Sequence, residues 1–264
     1  MENDNKYSVP GLERGLRILR CFSAKEPVQN GADLSRRLGI PRSTVFRLLQ
    51  TLEAEGFIER AGDDSNYRLG IAVLQIGFEY LSSLEVTDLG ASVIERLCQE
   101  TGFSSHIVAL DGREAVFVAK AASPERVFGT VKIGTRLPAH ATGVGQVLLG
   151  DYNKDALRKL FPERKLEEFT PHTPATVAAL YDAVQESTQR GYGVSESFFE
   201  QGISTIAAPV RDHQGKIVAA ISITVPQQRL DAELLADGLI DKVRAAAAEL
   251  SQRLNYRPAA LVAR

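Results

Sequence analysis

The chain has 264 residues, of which 44% are hydrophobic and 24% charged, with a formal net charge of −2. That length favours two domains, each able to bury its own core, and the balance excludes a disordered or fibrous chain. The two cysteines show neither CxxC nor metal-ligand spacing, which argues against a disulfide scaffold and a structural metal.

No apolar run reaches the roughly 18 to 20 residues that span a bilayer. The start MENDNKYS lacks the basic and apolar regions of a signal peptide. A cytosolic protein with reduced, buried thiols at Cys21 and Cys98 is the expectation. The small net charge is unevenly spread: residues 1–68 carry 11 Lys and Arg against 10 Asp and Glu, the remainder 20 against 23. Within 31–50, Arg36, Arg37, Arg42 and Arg47 stand against Asp33 alone. A phosphate backbone responds to such a local excess rather than to the total.

Residues 8–24 read as a first helix, with Leu12, Leu16 and Leu19 on one stripe and Ile18 and Phe22 widening it. A second helix is predicted over 32–38, and Gly39 follows where a positive φ is easiest. Pro41 suits the first turn of a third helix, in which Val45, Leu48, Leu49 and Leu52 recur at i, i+3, i+4 and i+7. That helix buries one face and shows Arg42, Ser43, Phe46, Arg47 and Gln50. Two helices meeting at a tight turn within 31–57 predict a helix-turn-helix whose second helix enters a major groove.

Residues 57–59 and 67–69 are β-prone around the turn GDDSN, a hairpin wing. Helical spacing returns over 70–84 with Ile71, Leu74, Phe78 and Leu81 on one face. This face serves either dimerisation on a palindromic DNA site or packing against its own chain.

The rest reads as α+β. A helix over 87–100 precedes β-prone stretches at 103–110, 115–119, 127–133, 192–195, 204–210 and 217–225, with an Asp111-Gly112 pair suited to a type I′ turn. Helical patterns lie at 143–149, 154–160, 177–190 and 231–254, giving an antiparallel sheet with helices to one side. In 217–225 the positions 217, 221, 223 and 225 share one apolar face, while Ala220, Ser222 and Thr224 share the other; Ile203 and Thr205 repeat the pattern. Hydroxyls on a buried strand face suit a polar small-molecule pocket, and the competing reading is a solvated outer face. Gly143 and Gly145 open a helix whose free N–H groups suit a carboxylate. Without GK[ST] or GxGxxG, a nucleotide loop is not indicated.

Taken together, SVPGLERGLRILRCF, LSRRLGIPRSTVFRLLQTLEAEGFIER and NYRLG resemble the winged helix-turn-helix of the IclR (isocitrate lyase regulator) family of bacterial transcription regulators. LPAHATGVGQVLL, GYGVSESFFEQGISTIAAPV and GKIVAAISITVP are similar to three motifs of that family's GAF-like C-terminal domain. The resemblance implies a winged helix-turn-helix domain over 1–69, a linker and dimerisation helix over 70–86, and a GAF-like effector domain over 87–264. It implies DNA contacts from Arg36, Arg37, Arg42, Ser43, Thr44, Phe46 and Arg47. By motif it implies effector contacts from Arg126, Gly129, Leu137, Gly143, Val144, Ser195, Ile203, Thr205, Ser222 and Thr224.

The family usually carries acidic residues at the start of the second motif, where this chain has Ser195, Glu196 and Ser197, and often cysteine at Thr205. Loss of a buried negative charge at Ser195, with Arg126 nearby, favours an anionic effector. The implied partners are a palindromic double-stranded DNA operator, a small organic-acid or aromatic effector, and a second copy of the chain in a dimer or dimer of dimers. RNA polymerase joins them if the protein activates, and neither cofactor nor membrane is implied. The alternatives are an enzyme using the same pocket and an adaptor module. His106, His140, His172 and His213 show no HExxH spacing and no GxSxG elbow occurs; His140 reads as a structural histidine on a backbone carbonyl.

Overall fold

A computed structural model describes residues 8–23, 25–62, 65–83, 85–123, 131–231 and 235–257. The chain divides into two compact units, Met1–Ser83 and Leu84–Arg264.

In the first unit, α1 (Pro10–Leu19) opens on proline, whose missing N–H costs nothing at that position. Asn30, at the end of β1 (Val28–Asn30), caps α2 (Gly31–Leu38) by accepting from the Ala32 N–H at 2.8 Å. Gly39 takes φ 66 at the end of α2, as its position predicts. Pro41 stands one residue before α3 (Arg42–Ala54) and its carbonyl accepts from the N–H groups of Thr44 and Val45. β2 (Ile58–Arg60) and β3 (Asn66–Leu69) form the expected hairpin, and β1, which the sequence reading missed, joins β3 to give the order β1-β3-β2. Ile18, Phe22, Leu34, Val45, Leu49, Ile58 and Tyr67 form the core.

One expectation fails in α1. Leu12 and Leu16 face solvent, and Gly15 and Ile18 supply the buried positions instead. A helix of ten residues has one core-facing stripe, here Gly15 and Ile18 with Leu19 packed beside them, and Phe22 just beyond the helix joins the same core. The 70–86 stretch holds α4 (Ala72–Ser83) and the first residues of α5 (Glu85–Thr101).

The second unit is built on a six-stranded antiparallel sheet in the order β6-β5-β4-β9-β8-β7. Its strands are β4 (Ser105–Asp111), β5 (Glu114–Ala121), β6 (Arg136–Pro138), β7 (Gly193–Glu196), β8 (Ser204–Arg211) and β9 (Ile217–Val225). In the β4–β5 turn only Gly112 of the central pair has positive φ, at 59. Glycine at the first central position gives a II′ pattern in place of the expected I′. The strand expected over 127–133 falls largely on 124–130, outside the described residues; 131–133 form no strand, and β6 follows them.

Helices cover both faces of this sheet, not one. On one face lie α5 and α9 (Leu239–Arg253); a Cβ on Gly90 would stand 2.3 Å from Ile107 Cδ1 and 3.0 Å from Leu250 Cδ2, so the missing side chain lets α5 approach both. On the other lies α6 (Gly143–Leu148), whose Val144, Val147 and Leu148 pack on Val108, Ala115, Phe117, Ala207 and Ala220. α7 (Lys154–Leu160) and α8 (Val177–Arg190) stand beside α6 over a second cluster. Ile217 packs with the α6 cluster instead of sharing the face of Ile221 and Ile223, because a register shift between Val210 and Arg211 breaks the alternation. Of the long helix predicted over 231–254, the described part enters α9 through Gly238 at φ 71.

Candidate functional site

Two places gather the residues singled out above, one in each unit. On α3, Val45 and Leu49 point into the core, which turns Arg42, Ser43, Phe46, Arg47 and Gln50 to solvent. Phe46 is 58% exposed, which excludes a core role. Thr44, in the first turn, is half-buried. Arg42 and Arg47 form no ion pair among the described residues, whereas Arg36 pairs with Asp33, and Arg37 with Glu26 at 2.7 Å. The Arg37–Glu26 hydrogen bond holds the Glu26 carboxyl below its usual range and the guanidinium above its own. Beside α3 runs a shallow groove with Arg42, Phe46, Arg60 and Tyr67 on its walls, where the Arg60 guanidinium lies 4.4 Å from the Tyr67 ring centre.

In the second unit, strand register assembles the polar side chains in rows. Ser195, Thr205 and Thr224 lie opposite one another across β7, β8 and β9. The next row runs Ala207, Ser222, His106, Lys120 across β8, β9, β4 and β5. Both rows face α6. Ser222 is 1% exposed, so this face is buried and not a solvated outer surface. A cavity of about 110 Å³ lies over the rows; Leu137, Val144, Ser195, Ile203, Thr205, Ser222 and Thr224 all line it. Arg126 and Gly129 lie outside the described residues.

Gly143 does not line the cavity, and the helix opening is not a free anion site. Its N–H donates to Ser195 Oγ at 3.2 Å, and the Gly145 N–H to Thr142 Oγ1 at 3.1 Å. The two glycines serve close packing. A Cβ on Gly145 would lie 2.3 Å from the Ala139 carbonyl oxygen, and one on Gly143 2.6 Å from Ser195 Oγ. The His140 Nε2–H donates to the Glu167 carbonyl, 2.9 Å away, the structural role expected of it.

The sequence reading missed Ser104, His106, Phe117, Lys120, Phe198 and Phe199, which also line the cavity. Applying the period-2 argument to 103–110 as well as to 217–225 finds Ser104 and His106, and the two phenylalanines sit inside a quoted motif. Burial, and after it the Lys120 charge, lowers the His106 pKa to about 4, so its imidazole is neutral at neutral pH. Among the described residues no three His, Cys, Asp or Glu side chains are grouped to hold a metal ion, and no helix is long and apolar enough to cross a membrane.

Residues 11–62 match the family model described as the IclR helix-turn-helix domain, and 78–252 match that of the bacterial transcriptional regulator IclR C-terminal domain. The chain belongs to the IclR family. XynR, an HTH-type transcriptional regulator of Escherichia coli K12, is 31% identical over 248 residues, spanning 94% of this chain and 98% of XynR. The solved structure of a transcriptional regulator from Rhodococcus sp. RHA1 is 32% identical, with a TM-score of 0.80 over 94% of this chain and 99% of that one. An IclR homologue from Microbacterium hydrocarbonoxydans, solved in complex with 4-hydroxybenzoate, shares the fold at 24% identity and a TM-score of 0.80, covering 93% and 99%. The protein is therefore an IclR-type transcriptional regulator, with an N-terminal helix-turn-helix and a C-terminal effector-binding domain, and not an enzyme.

Proposed function

We propose that this regulator binds a palindromic operator as a homodimer, or dimer of dimers, and that a small organic acid in the C-terminal cavity sets its affinity for DNA. The observation that carries the reading is the outward face of α3, where Arg42 and Arg47 have no acidic partner among the described residues. On this reading Arg42, Ser43, Thr44, Phe46 and Arg47 meet the major groove, and Arg36 and Arg37 leave their carboxylates for phosphates. Exposed Leu12 and Leu16 on α1, with Ile71, Leu74 and Ile76 at and near the start of α4, support a second copy of the chain, since such apolar area is otherwise left in water.

For the effector, Leu137, Val144, Ser195, Ile203, Thr205, Ser222 and Thr224 make the contacts, with Gly143 shaping the wall through Ser195. The cavity of about 110 Å³ corresponds to roughly seven to eleven water-sized spaces, the scale of a single-ring or short-chain acid. Lys120 supplies a cation to its lining and supports an anionic ligand. By motif Arg126 and Gly129 are proposed to extend this set, and RNA polymerase is a further partner if the protein activates. Gel-shift titration of Arg47→Ala tests the carrying observation: specific operator affinity falls by about 1–3 kcal/mol with folding intact. Unchanged affinity would show that another face meets DNA.

A further inference from the structure

Among the described residues, His106 lines the cavity with a buried ring nitrogen that the packing leaves without a partner. It is 1% exposed and its ring stands edge-on to Phe117, centres 5.2 Å apart. Its Nδ1 is buried and has no hydrogen-bond partner among the described residues. Buried polar atoms are partnered in the large majority of native sites, and an orphan at the wall of a cavity calls for a group brought in from outside. The neighbours on either side are fixed by register: Lys120 on β5 and Ser222 on β9 stand directly opposite His106 on β4. Lys120 Nζ donates one hydrogen bond to the Val131 carbonyl at 2.7 Å, leaving further donors on the same ammonium. Glu200 stands at the cavity as an acid, exposed to solvent.

We propose that His106 is a specificity-determining residue of the effector cavity: its imidazole hydrogen-bonds an oxygen of the ligand while Lys120, beside it, takes the ligand's carboxylate. The inference rests on the reading of this cavity as the effector site. A neutral imidazole presents one donor and one acceptor, so it recognises a hydroxyl or carbonyl and gives no ionic attraction to the carboxylate. Residues directly opposite on adjacent strands have Cβ atoms about 4.5–5.5 Å apart. The two ligand groups are correspondingly close, an oxygen function one or two carbons from the carboxylate. The hydroxy acid differs from its deoxy analogue by the group that completes His106.

The test uses two matched pairs, mandelate against phenylacetate and salicylate against benzoate, titrated calorimetrically into the full-length protein. Wild type is expected to favour the hydroxylated member at least tenfold. His106→Phe, which keeps a ring but loses both nitrogens, abolishes that preference and retains the deoxy member. His106→Asn restores part of the preference and guards against a mere folding defect, which melting curves also detect. Lys120→Met weakens both members of a pair alike. An undiminished preference in His106→Phe overturns the proposal. So does wild-type protein that binds none of the four acids, or binds the members of each pair equally. The cavity reading itself fails separately, if a broad metabolite screen finds ligands whose binding Thr224→Trp does not disturb.

Discussion

On α3 the polar side chains stand in water and are held by little: Arg42 and Arg47 are exposed and without acidic partners among the described residues. In the cavity Ser195 and Ser222 are buried, and Ser195 accepts from the Gly143 N–H as Thr142 does from the Gly145 N–H. The contrast follows from what each surface has to meet. A phosphate backbone delivers its charge to exposed cations and releases counterions. A small ligand must displace or complete hydrogen bonds inside a low-dielectric site, so on the proposed reading the unpartnered Nδ1 of His106 sets selectivity there. On the proposed function, one surface is read by charge and reach and the other by satisfaction of buried groups.

The comparison breaks most readily if the core beneath α3 is removed. Leu49, 2% exposed, anchors the helix; Leu49→Ala is expected to cost about 2–5 kcal/mol by chemical denaturation and to abolish DNA binding through unfolding. The cavity side is sharpened by pH. Because His106 titrates at about 4 in the folded chain against 6.5 ordinarily, the unfolded state binds more protons between those values. Its contribution is full above about 6.5 and is lost as pH falls toward 4. The loss of order 3 kcal/mol is to be read as the difference in pH-dependent stability between wild type and His106→Asn. Equal slopes would place His106 in a wetter setting.

Gly145→Ala forces a methyl group against the Ala139 backbone and is expected to destabilise by about 1–3 kcal/mol in the same assay. No loss would mean that α6 can retreat from the preceding turn. The smallest effect belongs to Arg37→Ala. It should lower the salt slope of operator binding by about one, leaving sequence preference intact, because on the proposed reading it reaches phosphate and not base. A changed preference would move Arg37 into the group that reads bases.

Much of this was legible from sequence because period and punctuation agree. Val45, Leu48, Leu49 and Leu52 specify which face of α3 is buried, and Gly39 specifies the turn before it. Ser222 and Thr224 were separable from Ile221 and Ile223 by parity alone. Parity failed at Ile217, where a register shift invisible in composition reverses the face. It also failed to warn that a stripe need not be buried within the chain, as Leu12 and Leu16 show. Gly143 and Gly145 misled for another reason: a glycine serving close packing and one serving an anion look alike until the approaching atoms, Ala139 and Ser195, are known. His106 and Lys120 lie far apart in sequence from Ser222, and only strand order makes them neighbours.

The central claim is that the cavity and α3 are coupled, and reciprocal titration tests it most directly. Operator affinity is measured by gel shift with and without a saturating cavity ligand, and ligand affinity by calorimetry with and without operator. Linkage requires both ratios to be equal, and a regulator of this kind predicts a change of roughly 5- to 150-fold. Operator affinity that is the same with the cavity filled or empty would contradict the account.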